Sequence, residues 1–228
     1  METGLFFHLT KTITLLRRVS MRLLLSGGSD AAESEKIDKF FASQIKAEQV
    51  VLYVPIAAYE PGQYLERYKR IKSRFQKFGI TNIEMCTVLN TVRADSRYSA
   101  IYIDGGNTFK LLKEVRESGF DTQIFSFLNE GGIIYGLSAG SIIFGRNIIG
   151  TTYETENCVG LEDSRGLNLA KGFDVCCHYR NDADYKRNRI IKFSAESKGT
   201  IALSDGCAAF IEDEKITFIG DGAILFTP

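Results

Sequence analysis

The chain has 228 residues, 44% of them hydrophobic and 25% charged, which is the composition of an ordinary globular protein. Its 28 basic and 28 acidic residues cancel, so it lacks the positive field with which proteins hold nucleic acids or anionic membrane surfaces. We therefore expect neither a nucleic acid nor a membrane as a partner.

The five cysteines are odd in number and scattered, without a C-x-x-C pair. With no secretory signal in view, this usage predicts a reduced, cytoplasmic protein in which even the adjacent Cys176 and Cys177 are small core residues. The first 20 residues differ from the rest, because their apolar part is short and interrupted and Arg17-Arg18 follows it. We expect a non-native or flexible extension at 1–20 and a single domain at 21–228; a surface helix or docking arm is the alternative for the extension.

Strand and helix patterns alternate from Met21 onward. Apolar runs predict strands at 22–26, 50–56, 80–89 and 100–103, and helical spacing predicts helices at 31–48, 64–78 and 109–117. The alternation predicts an α/β fold built on a mainly parallel sheet. We interpret the basic residues of the 64–78 helix, among them Arg67 and Arg74, as a solvated face.

The C-terminal part has a different pattern. A strand is predicted at 173–179 and a polar helix at 182–196. Short strands at 201–204, 207–211 and 215–220, separated by turn residues, predict an antiparallel meander that extends the sheet at one edge.

The segment GGIIYGLSAG, residues 131–140, places Ser138 in a G-x-S-x-G pattern between a predicted strand and a helix. This pattern is typical of a sharp turn whose flanking glycines avoid steric conflict and whose serine Oγ projects as a nucleophile. The first N–H groups of the following helix can hold an oxyanion. Alternatively, Ser138 is only a helix N-cap.

A second glycine-rich turn, Asp104-Gly105-Gly106-Asn107-Thr108, follows the predicted strand at 100–103. Open α/β sheets place their ligand sites at such strand ends, where backbone N–H groups face the ligand. The alternative is a plain turn with an N-cap. The pattern lacks the third glycine of a dinucleotide fingerprint, and we expect no cofactor.

A nucleophilic serine needs a base, and histidine is the usual one. The chain has two histidines, and His8 lies in the predicted extension, which leaves His178 at the end of a strand that we expect in the same sheet as Ser138. A carboxylate should orient the imidazole, and spacing leaves several open. These candidates are Glu154, Glu156, Glu162, Asp163 and Asp174. A single histidine and dispersed cysteines predict no metal site.

These residues resemble the dipeptidase E family of serine peptidases, which includes the cyanophycinases. The resemblance runs from Met21 to the C-terminus and depends on five short motifs taken in order. They are 23–28 (LLLSGG), 104–109 (DGGNTF), 136–140 (GLSAG), 178–179 (HY) and 202–206 (ALSDG). It implies a three-layer, flavodoxin-like sheet with helices on both faces, related to class I glutamine amidotransferases.

The resemblance also implies residue roles. Ser138 would be the nucleophile and His178 the base, with the N–H groups of Gly106 and Ala139 as the oxyanion hole. Glu154 follows a Thr-Thr pair where the family has its acid, although this chain has glutamate for aspartate and one more residue of spacing. Glu156 and Asp163 stay open as alternatives.

Dipeptidase E cuts dipeptides with N-terminal aspartate, so the resemblance implies a small peptide as substrate. Reading an aspartyl side chain requires a cation. Candidate substrate-binding residues are Asn107, Arg165, Arg180 and Arg189. Hydrolysis of β-aspartyl linkages, esterase activity and a non-catalytic binding module are the alternative functions. A homodimer is compatible with the sequence, which leaves the oligomeric state open.

Overall fold

The computed structural model describes residues 20–28, 33–46, 49–152, 155–180, 184–194 and 197–227, with backbone only for 184–186 and 193–194. The predicted extension at 1–20 lies outside these residues except for Ser20. None of the described helices is long and apolar enough to cross a membrane.

The described part of the chain alternates strands and helices along most of its length. The strands are β1 (Arg22–Ser26), β2 (Val50–Val54), β3 (Ile83–Met85), β4 (Tyr98–Ile103), β5 (Ile133–Leu137), β6 (Asp174–Cys176), β7 (Thr200–Leu203), β8 (Ala208–Glu212), β9 (Lys215–Ile219) and β10 (Ala223–Phe226). The helices are α1 (Glu35–Ser43), α2 (Tyr64–Gln76), α3 (Thr108–Glu117), α4 (Phe120–Asn129), α5 (Ala139–Ile142) and α6 (Asp184–Ser194).

The main sheet has seven strands in the order β3-β2-β4-β5-β1-β8-β9. The first five are parallel, whereas β8 and β9 are antiparallel additions at one edge. The parallel strands β1, β2 and β4 are buried on both faces, which explains their continuous apolar sequences. The prediction of a mainly parallel sheet is confirmed.

Alternation along each strand supplies a core to each face of this sheet. Leu23 and Leu25 face the core formed with α3, α4 and α5, whereas Leu24 faces the core formed with α1 and α2. Helices therefore cover both faces, and the predicted three-layer arrangement is confirmed.

The predicted solvated face of α2 is wrong at two positions. Arg74 is 8% exposed and pairs with Asp38 of α1. The Arg67 side chain is 22% exposed and contacts the turn that follows β4. Both arginines point inward because buried carboxylates face them, which composition could not reveal.

The predicted C-terminal meander is correct for β8 and β9 but wrong for the strand before them. β7 forms a second, three-stranded sheet, parallel to β6 and antiparallel to β10. All four residues of β7 are buried, so the backbone N–H and C=O groups at both of its edges need hydrogen-bond partners. Strands β6 and β10 provide them. His178 follows β6 and so belongs to the smaller sheet, not to the sheet of Ser138 as we expected.

Candidate active site

Ser138 lies between β5 and α5 with φ 52° and ψ −113°, a conformation that L-residues rarely adopt. The turn leaves no room for side chains beside the serine. A Cβ on Gly136 would lie 2.3 Å from the Gly140 carbonyl oxygen, and one on Gly140 would lie 2.2 Å from that of Ile103. The glycines of the G-x-S-x-G pattern are thus required by close backbone contact, as in a nucleophile elbow.

His178 reaches the serine from the second sheet. Its Nε2 lies 2.8 Å from Ser138 Oγ. Its backbone N–H donates to the Gly27 carbonyl oxygen at 2.9 Å, and the φ of 51° turns the residue out of β6. The end of β1 in the main sheet therefore fixes a histidine that the smaller sheet supplies.

Asp205 completes the arrangement from the turn after β7. Its Oδ1 lies 2.6 Å from His178 Nδ1. Because a carboxylate only accepts hydrogen bonds, Nδ1 carries the hydrogen and Nε2 presents its lone pair to the Ser138 hydroxyl. This is the tautomer that a general base needs.

Asp205 takes the place for which the sequence suggested other carboxylates. Glu154 lies outside the described residues. Asp163 instead accepts hydrogen bonds from Arg165, which hold the pKa of Asp163 below its usual value. Asp174 is buried, and its Oδ1 accepts the Asn147 N–H. Asp205 itself lies in the motif at 202–206, and its place after a strand end was the available indication.

Gly28 makes room for this pair of side chains. A Cβ there would lie 2.1 Å from His178 Cε1 and 2.6 Å from Asp205 Oδ1, and its φ of +123° also favours glycine. The Gly28 carbonyl oxygen accepts the Gly206 N–H at 2.8 Å. The glycine end of the motif at 23–28 thus forms part of the site, a role that we did not predict from the sequence.

The two predicted oxyanion donors lie beside the serine. Ala139 is the first residue of α5, and Gly106 lies in the turn after β4 with φ +146°. A Cβ on Gly106 would lie 2.1 Å from the Ala57 carbonyl oxygen, so only glycine fits there. Among the described residues, no backbone acceptor binds the N–H of Gly106 or Ala139. Both are available to a bound oxyanion.

A cavity of about 270 Å³ opens above Ser138. Its described lining contains no carboxylate, lysine or arginine and is rich in hydroxyl groups. The lining residues are Tyr59, Gly106, Thr108, Ser138, Ile142, Thr151, Thr152, Thr155, Cys177 and His178. Burial raises the pKa of Cys177, which disfavours the thiolate form in which a cysteine reacts.

The candidate substrate-binding residues are dispersed. Arg165 lines a different cavity, and its guanidinium binds Asp163. Arg189 donates to the Ile149 carbonyl oxygen at 2.7 Å. Arg180 is exposed two residues after His178.

Asn107 supports the wall of the cavity. Its Oδ1 caps α3 by accepting the Lys110 N–H, and its Nδ2 donates to the Glu156 carbonyl oxygen at 3.0 Å. Both polar ends of the buried side chain are therefore bound within the protein. This structural role differs from the predicted substrate contact.

An α/β sheet with a serine elbow, an imidazole in contact with the serine and a carboxylate behind the imidazole has the form of a serine hydrolase. Comparison with known proteins assigns the chain to the same class, the serine hydrolases. The model of Peptidase family S51 matches residues 22–219. Because this match covers most of the sequence, the chain belongs to peptidase family S51 and is a serine-type peptidase. The resemblance to the dipeptidase E family is confirmed.

Individual members of the family share a quarter to a third of their aligned residues with this chain. The "Uncharacterized peptidase Lmo0363" of Listeria monocytogenes is 33% identical over 120 residues, which span 51% of this chain and only 58% of that protein. "Peptidase E" of Nostoc sp. PCC 7120 is 25% identical over 219 residues, 89% of this chain and 86% of the relative.

Solved structures show the same fold. A protein described as a "Putative Peptidase E Protein" from Listeria monocytogenes EGD-e superposes with a TM-score of 0.71 at 23% identity, covering 89% of this chain and 100% of that one. A peptidase from an acI-B1 Actinobacterium gives a TM-score of 0.68 at 15% identity, covering 92% and 96%.

Proposed function

We propose that the protein hydrolyses small peptides through an acyl-enzyme formed on Ser138. The observation that carries this proposal is the continuous hydrogen-bonded path from Ser138 Oγ through His178 to Asp205. Such a path removes the hydroxyl proton as the oxygen attacks, which an isolated serine cannot do near neutral pH.

The reaction has two halves. Ser138 Oγ attacks the carbonyl carbon while His178 Nε2 takes the proton, and the N–H groups of Gly106 and Ala139 stabilise the oxyanion. His178 then protonates the leaving amine as the C–N bond breaks. Water, deprotonated by the same imidazole, attacks the acyl carbon. The bond from that carbon to Ser138 Oγ then breaks, His178 returns the proton to Oγ, and the acid leaves. Asp205 stabilises the imidazolium in both halves.

We further propose dipeptides with N-terminal aspartate as the preferred substrates. The small volume of the cavity supports a short peptide, and the resemblance to dipeptidase E supports aspartate. The described lining of the cavity contains no lysine or arginine, so we assign the reading of the aspartyl carboxylate to the exposed Arg180.

A substrate panel and an active-site probe test these proposals. Ser138→Ala should lower kcat on Asp-Xaa dipeptides by several orders of magnitude and abolish labelling by a fluorophosphonate. Ser126→Ala, which removes an exposed serine of α4, is the control and should retain both. Activity that survives Ser138→Ala would refute the mechanism.

The panel should compare Asp-Leu, Asn-Leu, a β-aspartyl-arginine dipeptide and a small ester. Asp-Leu is expected to have the highest kcat/KM. Equal rates on Asp-Leu and Asn-Leu would refute the aspartyl preference alone. A wild-type protein that neither cleaves nor reacts with the probe would indicate a binding module.

A further inference from the structure

The peptide group between Gly105 and Gly106 is held at its carbonyl end by an arginine. Arg67 Nη1, from the first half of α2, donates to the Gly105 carbonyl oxygen at 2.9 Å. The peptide is trans, since the described residues contain no cis bond, so its N–H points away from its C=O. With the carbonyl directed at Arg67, the Gly106 N–H points to the opposite side of the peptide. Gly106 and Ser138 both line the same cavity.

We propose that Arg67 is a positioning residue that orients and polarises this peptide, so that the Gly106 N–H is a stronger donor to the oxyanion. The inference builds on the proposed function, because it assigns a residue to the oxyanion hole of that reaction. Arg67 does not line the cavity and acts through the peptide alone.

The buried carboxylate of Asp104 contacts both Arg67 and the turn after β4, which fixes their relative positions. Asp104 is 1% exposed, and its Oδ1 accepts the Gly105 N–H at 2.8 Å. Its Oδ2 accepts the Tyr53 hydroxyl at 2.7 Å and lies 3.4 Å from Arg67 Nη1. Burial, together with Asp104, raises the pKa of Tyr53, so this phenol remains a neutral donor.

These bonds hold Gly105 from two directions. Asp104 binds its N–H and Arg67 binds its C=O, which leaves the Gly105–Gly106 peptide little rotational freedom. Close contact with Ala57 restricts the other side of Gly106, where no Cβ fits. The donor is therefore oriented before substrate arrives, as electrostatic stabilisation of a transition state requires.

The charge of Arg67 adds to this orientation. A cation at a carbonyl oxygen draws electron density from the peptide nitrogen, which strengthens the N–H as a donor in the manner of cooperative hydrogen-bond chains. Charge-assisted bonds are roughly twice as strong as neutral ones. Because the oxyanion exists only in the transition state and the intermediate, the effect should appear in kcat rather than in KM.

The test compares two arginines on the same helix. Arg67→Met removes the cation from the Gly105 carbonyl, and Arg70→Gln removes an equal charge from an exposed position of α2. We expect Arg67→Met to lower kcat about 10- to 100-fold, less than the loss of an oxyanion donor itself, with KM within about twofold of wild type. Arg70→Gln should leave both constants within about twofold.

A tetrahedral inhibitor separates this role from a structural one. A peptide boronate, which forms an oxyanion-like adduct on the serine, should lose affinity for Arg67→Met by about the same factor as kcat/KM. A dipeptide product should bind this variant as it binds wild type. Arg67→Lys keeps a cation beside Asp104 and should give an intermediate kcat; it also serves as the test variant if Arg67→Met does not fold.

Three results would overturn the inference. They are an unchanged kcat in Arg67→Met, a loss confined to KM, or an equal loss in Arg70→Gln. An active, Ser138-dependent wild type with any of these results leaves the proposed function intact. A wild type that fails to cleave any peptide overturns the function and this inference together.

Discussion

Asp205 stands 27 positions after His178, yet the two side chains meet at 2.6 Å. At the residue scale, this contact decides which nitrogen of the imidazole carries the hydrogen. From the sequence we considered carboxylates that precede the histidine. The structure shows that the turn after β7 carries the carboxylate to the ring instead, with Gly28 leaving space for both side chains.

We expect Asp205→Asn to lower kcat by about 10³- to 10⁴-fold, because an amide can donate to Nδ1 and stabilise the wrong imidazole tautomer. Steady-state kinetics on the best dipeptide measure the change. Asp163→Asn is the matched control, since it removes a half-exposed carboxylate that binds Arg165 and should keep kcat within about twofold. An Asp205→Asn enzyme with more than about a tenth of wild-type kcat would contradict the assignment.

At the scale of elements, a buried ion pair joins α1 and α2, which pack on the same face of the main sheet. Arg74 Nη2 lies 2.6 Å from Asp38 Oδ1 and donates to the Tyr135 hydroxyl at 3.1 Å. Asp38 is fully buried. A charge at such a place is tolerated only while its partner remains, because the interior cannot solvate it.

Asp38→Asn should lower the free energy of unfolding by about 3–5 kcal/mol, since the Arg74 charge would remain buried without its carboxylate. Urea denaturation followed by circular dichroism measures the loss. Glu214→Gln, which makes a similar chemical change at an exposed carboxylate that pairs with Lys171, should cost at most about 1 kcal/mol. Similar costs for the two variants would contradict a special role for the buried pair.

At the scale of the whole molecule, the site forms where two sheets meet. The main sheet supplies Ser138, Gly106 and Gly28, and the smaller sheet supplies His178 and Asp205 from the ends of β6 and β7. The His178 N–H bond to the Gly27 carbonyl oxygen and the Gly206 N–H bond to that of Gly28 tie the sheets together at this point.

Thiol labelling tests this packing. Cys158 is the exposed one of the five cysteines, and the others are buried. Burial also raises the pKa of Cys86, Cys177 and Cys207, which keeps those thiols protonated and slow to alkylate near neutral pH. Iodoacetamide should therefore modify one cysteine in the native protein and all five after denaturation, as read by mass spectrometry.

Cys158→Ser is the control and should abolish native labelling. Rapid modification of Cys177 in the native protein would contradict the close contact of its Sγ with the carbonyl oxygens of Ser26 and Ser138.

Local sequence patterns were sufficient to predict many of the secondary-structure elements of this protein. Largely apolar runs indicate β1, β2 and β4, because strands buried on both faces carry apolar residues at most positions. The G-x-S-x-G turn is local at Gly136, whose steric conflict is with Gly140, whereas the conflict at Gly140 is with Ile103 of β4. The buried residues Phe120, Ile124, Phe127 and Leu128 recur at helical spacing, so α4 was also predictable from the sequence, although we did not predict it.

Only the tertiary structure determined which strands pair and which distant side chains meet. Whether β7 pairs with β8 or with β6 and β10 depends on hydrogen bonds between segments far apart in the sequence, and a short buried strand suits either sheet. The same holds for Asp205 at His178 and for Arg67 at Gly105, since a charged residue looks the same in sequence whether it faces water or a buried partner. Spacing records neighbours along the chain, whereas these contacts depend on how distant strand ends converge.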